Sequence, residues 1–248
     1  MNRNLKALGL ALLAVFAMSA VLASAAQAQL AKVTVGSSPA WLTGEVISHP
    51  TIGNFATFTL AGGQVLSCEA ANFDATVRNG DTEITFVQTF SACKAVIGTE
   101  SHLVTVTMNH CDFLLHDMTT QSPNSTTFTA LIDLVCPAEK QVEIHVYKAA
   151  ANETEELCTY KVASFQNKGG NVIHNEAGTP HNDLKLTHTV TEIKTTRTGS
   201  LLCGAASQNA TFTCSTTIRA FEDLGGSIVD GTVVGLLEGA QTSLTISD

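Results

Sequence analysis

Residues 183–194, DLKLTHTVTEIK, decide the fold class of this chain. Leu184, Leu186, His188, Val190, Glu192 and Lys194 fall on one face of an extended segment. Lys185, Thr187, Thr189, Thr191, Ile193 and Thr195 fall on the other. Side chains alternate across a strand with a period of two, so this is the signature of an amphipathic strand and not of a helix. The same alternation recurs earlier in the chain, over residues 141–147, 127–135, 102–108 and 55–60. Gly62-Gly63 turns residues 55–60 back into 64–68. Arg78-Asn79-Gly80-Asp81 joins 73–77 to 82–87 as a hairpin, because Asn-Gly readily takes positive φ. Residues 221–248, with glycines at 225, 226, 231, 235 and 239 between apolar pairs, read as two or three closing strands. Threonine suits this pattern, since its branched Cβ fits a pleated surface and its hydroxyl keeps the outer face wet.

Helical periodicity is almost absent after residue 28, so the helical crossovers of an α/β fold are missing. The expected architecture is therefore all-β, an antiparallel β-sandwich-like fold. The polar stretch 148–156 suggests a short helix or an exposed turn. It divides the body into 29–148 and 149–248, two packed β modules or a single domain. Cys111-Asp112-Phe113 and Cys158-Thr159-Tyr160 echo each other near the start of alternating runs, as duplication of a β module would leave them. Residues 166–182, QNKGGNVIHNEAGTPHN, read as the longest irregular loop.

The N-terminus carries an address. Arg3 and Lys6 precede an uncharged run over residues 7–23, followed by Ala26-Gln27-Ala28 in the A-x-A arrangement that a signal peptidase accepts. A run of about 17 apolar residues could also serve as an anchor. The cleavage motif and the lack of a basic stop-transfer cluster favour a signal peptide over residues 1–28, cut after Ala28. No cysteine sits just after the cut, so a lipid has no attachment point. An exported protein with no membrane span after signal removal is expected.

All seven cysteines lie beyond residue 28, where an oxidising compartment would pair them. No C-x-x-C occurs, so neither a thioredoxin-type centre nor a zinc knuckle has its local geometry. Cys68 and Cys93 enclose 24 residues, as do Cys111 and Cys136. These equal loops favour the pairs Cys68–Cys93 and Cys111–Cys136, and then Cys158–Cys203, among the 15 connectivities six cysteines allow. Cys214, which interrupts a strand pattern, is left as the free thiol. It is expected to be buried, the alternatives being a nucleophile or an intermolecular disulfide.

The leader, the Gly-Gly turn ahead of the first cysteine, the C-x-F and C-x-Y strand starts and Cys203-Gly204 together resemble a group of short secreted, cysteine-containing bacterial proteins of unassigned function. The resemblance implies no catalytic residue. It implies a glycine or polar residue in place of Cys214, making that thiol an individual addition.

Composition narrows the chemistry. At 44% hydrophobic and 14% charged, the chain is not a disordered one. Its net charge of −9, from 13 basic and 22 acidic residues, disfavours nucleic acid as a partner. Removal of the leader takes away two basic residues and no acidic one. The G-x-S-x-G, phosphate-loop and EF-hand patterns are absent. The sharpest candidate for chemistry is His174, His181 and His188, with Glu176 and Asp183 beside them, since imidazole and carboxylate are usual zinc ligands. A seven-residue spacing brings such ligands together only if the loop folds back. A second cluster is His110, Asp112, His116 and Asp117, the first three sharing one side of a strand. No cofactor is expected, with zinc, or calcium held by loop carboxylates, as the alternative. The reading is an exported, non-catalytic binding or structural module acting on a ligand at or outside the cell envelope. Its alternative is a secreted hydrolase or metal-binding protein with a site in 166–188.

Overall fold

The computed structural model describes residues 30–36, 39–46, 56–60, 63–120, 125–148, 153–177, 182–206, 209–223, 227–229, 232–234 and 238–247. The leader and the inner residues of the 148–156 connection lie outside them. Strands dominate. In chain order they are β1 (Lys32–Val35), β2 (Ala40–Val46), β3 (Ala56–Thr59), β4 (Val65–Val77), β5 (Ile84–Ile97) and β6 (Glu100–Thr107). There follow β7 (Asp112–Thr120), β8 (Thr127–Val135), β9 (Val142–Tyr147), β10 (Glu156–Val162), β11 (Phe165–Glu176) and β12 (Asp183–Ile193). The last are β13 (Thr195–Gly199), β14 (Ala210–Asp223), β15 (Ser227–Val229), β16 (Thr232–Val234), β17 (Glu238–Thr242) and β18 (Leu244–Ser247). A single 3₁₀ turn, Leu201–Cys203, is the one helical piece among the described residues. The fold is all-β, every pairing is antiparallel, and three disulfides brace it.

The pairing closes on itself twice. One ring runs β2–β4–β5–β7–β8–β11–β12–β14 and back to β2. The other runs β3–β4–β5–β6–β9–β10–β13, and β13 continues β12 across Lys194. The far half of β12 lies on β14, which returns to β3. The long strands β4, β5, β14 and the β12–β13 pair therefore run through both rings. Closure leaves few unpaired edges, the usual liability of a sheet. Strands from either side of residue 148 are neighbours in one sheet, as in the β8–β11, β9–β10 and β2–β14 pairs.

The first ring is filled. Phe73 stacks on Phe86 at 4.3 Å between ring centroids, and Phe86 on Phe113 at 5.3 Å. Leu42, Leu115, Ile132, Leu184 and Ile218 bury their side chains around them. Burial of an aliphatic side chain of this kind contributes about 1.5–3 kcal/mol each.

Two local readings are corrected. Residues 166–182 are not a loop through most of their length, because β11 occupies them as far as Glu176, paired with β8 on one side and β12 on the other. Its polar, glycine-containing sequence is held extended by ladders on both edges, which override weak strand propensity. Irregularity survives as two register shifts, with Asn167 at φ 53° and Gly170 at φ 84°. In β12 the alternation breaks after Val190. Glu192 takes φ 57°, and the register jumps from Val190↔Phe212 to Ile193↔Ala210. This bulge turns Ile193 into the core and leaves Glu192 exposed.

Candidate functional site: a hollow ring and its mouth

The histidines of 166–188 are not brought together. His174 sits on the outer face of β11, where Nδ1 lies 3.0 Å from the hydroxyl of Thr127. His188 points inward from β12, 1% exposed. Strand alternation puts the two on opposite faces of one wall, so they cannot share a metal ion. His181 lies outside the described residues. The second cluster also disperses. His110 belongs to a turn, while His116 lies between Asp117 and Asp133, each at 3.2 Å. Among the described residues, no group of three or more His, Cys, Asp or Glu side chains is close enough to hold a metal ion.

His188 instead faces Cys214 across the β12–β14 ladder. Gln88 Nε2 donates to Cys214 Sγ at 3.8 Å, and the Thr216 hydroxyl lies 3.6 Å from the same sulfur. His188 packs against Phe86 and Phe212, and neither ring nitrogen has a hydrogen-bond partner. Burial lowers its pKa to about 4, which keeps the ring neutral. Burial pushes the Cys214 thiol up, and the bonds from Thr216 and Gln88 offset this only in part. The thiolate is the reactive form of cysteine, so this environment suppresses nucleophilicity. The pairing of Cys68, Cys93, Cys111, Cys136, Cys158 and Cys203 follows the loop lengths, and Cys214 is the free, buried thiol.

The feature that sequence reading missed is inside the second ring. Phe58 of β3, Leu66 of β4, Val104 of β6, Ile144 of β9, Val162 of β10 and Phe212 of β14 converge on an apolar chamber. Its cavity volume is about 70 Å³, and the space around it opens to solvent. Its base is formed by Phe113, Leu134 and Ile193, where the two rings meet. Phe90, Val106, Met108, Phe165 and Phe212 remain only partly buried although they line it. Tyr160 helps close the far end of the ring, its hydroxyl donating to the carbonyl of Cys203 within the turn that Cys158–Cys203 ties down.

The mouth follows from a fork in the sheet. β5 pairs with β7 over Ile84–Phe86 and with β6 over Cys93–Ile97, so on that edge residues 87–92 belong to neither ladder. Ala92, at φ 51°, bends the strand between its two partners. Across the gap runs a tight turn in which Cys111 N donates to Met108 O at 2.8 Å. Asn109 and His110 fill its two central positions at φ 51° and 64°, the type I′ geometry of a two-residue hairpin. Asn109 Nδ2 ties the turn to Gln141 O at 2.9 Å, and Cys111–Cys136 ties it to the end of β8. Between β5 and this turn lies a second cavity of about 360 Å³. It shares Phe90, Val106 and Met108 with the chamber and is lined on its outer side by Thr89, His110 and Asp112.

Among the described residues, Asp112 is the one carboxylate on either cavity wall. Its Oδ1 is buried without a hydrogen-bond partner. Burial raises its pKa above the ordinary carboxyl value, opposed by the nearby His110. The assembled features are a rigid mouth with one acid, leading to a hollow, apolar interior. Comparison with protein-family models, curated proteins and solved structures gave no match to this chain.

Proposed function

We propose that this chain is an exported, non-catalytic binding protein that holds a small apolar molecule in its second ring, at or outside the cell envelope. The observation that carries the reading is the chamber itself. Five apolar side chains inside a closed ring keep solvent-facing surface that only an apolar guest would cover. Binding sites for small molecules are concave, mostly apolar and preformed, with few polar groups, and this chamber meets each condition. Three disulfides supply the rigidity, in a form that persists in oxidising compartments. Among the described residues no helix is long and apolar enough to cross a membrane. The leader, cut after Ala28, supplies the route.

The test uses the neutral apolar dye N-phenyl-1-naphthylamine and the exported protein. Saturable fluorescence enhancement at one dye per chain is expected. Val106→Trp, which fills the space between mouth and chamber, should abolish it while leaving the circular dichroism unchanged. Absence of saturable binding by the folded protein, or full binding by the Trp variant, would overturn the proposal. N-terminal sequencing of protein recovered outside the cell should begin at Gln29.

A further inference from the structure

We infer that Asp112 is the headgroup-binding residue of the chamber and that the ligand is a cationic amphiphile. Its apolar chain lies among Phe90, Val106 and Met108, and its protonated amine stays at the mouth. The inference rests on the apolar chamber being a binding site and adds the polar end of the ligand.

Three observations converge. The two cavities are continuous in their lining, with the wholly apolar one inside and the partly polar one outside. A guest reaching through both must therefore be amphipathic. Next, among the described residues Asp112 is the only carboxylate on either wall, and none of those lining either wall is a lysine or arginine. It stands at the first residue of β7, where the β5–β7 ladder ends, and Val87 beyond that ladder lines the same cavity. Finally, its buried Oδ1 accepts no hydrogen bond. A buried acceptor without a donor is costly, and a charged donor in its reach restores the loss with a charge-assisted bond. A hydroxyl head would supply a weaker bond, and a carboxylate head would meet like charge in a partly desolvated site. The turn that leads directly into Asp112 is pinned by Asn109 and by Cys111–Cys136, so the acid is held at a fixed position relative to the opening.

Decylamine, decanol and decanoate, which share one chain and differ in the head, should displace bound N-phenyl-1-naphthylamine at pH 8 with different strengths. Decylammonium is expected to displace the dye at a concentration about tenfold below that of decanoate, the ratio one charge-assisted hydrogen bond supports. Asp112→Asn should remove this preference while changing decanol displacement by less than about twofold. Glu100→Gln, which removes an exposed acid from the opposite end of β6, should leave the preference intact. Equal displacement by all three heads would overturn the inference, as would a preference that survives Asp112→Asn. Loss of the preference in Glu100→Gln would overturn it as well, by assigning it to the overall negative charge. A dye that never binds, or that decanol cannot displace, overturns the chamber reading itself. Decanol displacement without head preference removes only the role of Asp112.

Discussion

At His188 an ionisable ring is enclosed by Phe86, Phe212 and the thiol of Cys214, and its environment sets the sign of a pH effect. The folded chain binds the proton only near pH 4, whereas an unfolded histidine binds it near 6.5. Between these values the unfolded state takes up the extra proton, so stability falls as the pH drops through that window and levels off below it. The difference corresponds to about 3 kcal/mol. Urea unfolding of wild type and His188→Leu at pH 7.5 and pH 4 should show the wild type losing about that much more than the variant. A difference that does not change with pH would mean the ring keeps its proton inside the fold. The inward direction of His188 was readable from DLKLTHTV, since it shares a face with Leu184, Leu186 and Val190. His174 lies on the opposite face of the same wall, so the seven-residue spacing does not bring these two histidines together, and His181 lies outside the described residues. Gln88 as a partner of Cys214 was not readable at all. The two are 126 residues apart, and only the closure of the ring brings them together.

Elements carry the next set of differences. Alternation located most strands, but it assigned Glu192 to the core face and missed that Ile193 replaces it. A bulge costs little locally and is chosen by what the core accepts, so a period-two pattern has no signal for it. The same holds for β11, whose polar sequence reads as an irregular loop. Gly170 has φ 84°, and a Cβ there would sit 2.6 Å from the carbonyl oxygen of Thr189 in β12. At Gly169 the nearest atom is 3.8 Å away, on the flexible side chain of Leu131. Gly170→Ala should therefore cost about 2 kcal/mol or more, and Gly169→Ala less than about 1 kcal/mol. Chemical denaturation of the two variants checks this, and equal costs would show that β12 yields to make room. The tight turn at Asn109-His110 is a similar case. Alternation puts His110 on a strand with Asp112 and His116, and the turn that takes its place forms one side of a mouth only because β5 changes partners.

For the molecule as a whole, fold class and covalent bracing were legible, and the chamber was not. Cysteine spacing is local information, whereas the chamber lining is gathered from strands spread across most of the sequence. Cys68–Cys93 joins β4 to β5, two of the strands common to both rings. Removing it with Cys68→Ala and Cys93→Ala together should lower stability by about 3 kcal/mol, the entropy that a loop of this length withholds from the unfolded chain. It should also weaken dye binding, because Cys68 lines the chamber. A double variant as stable as the wild type would show that ring closure alone holds the walls. One further ladder has a bearing on how such a molecule is made. Lys32 pairs with Ser247 and Val35 with Leu244, so β1 waits for a partner encoded near the other extremity of the sequence. A nascent chain emerging amino end first cannot complete this zipper until residues 36–243 have been synthesised. That late closure makes the β1–β18 seam a natural place to open the circle in a permuted variant.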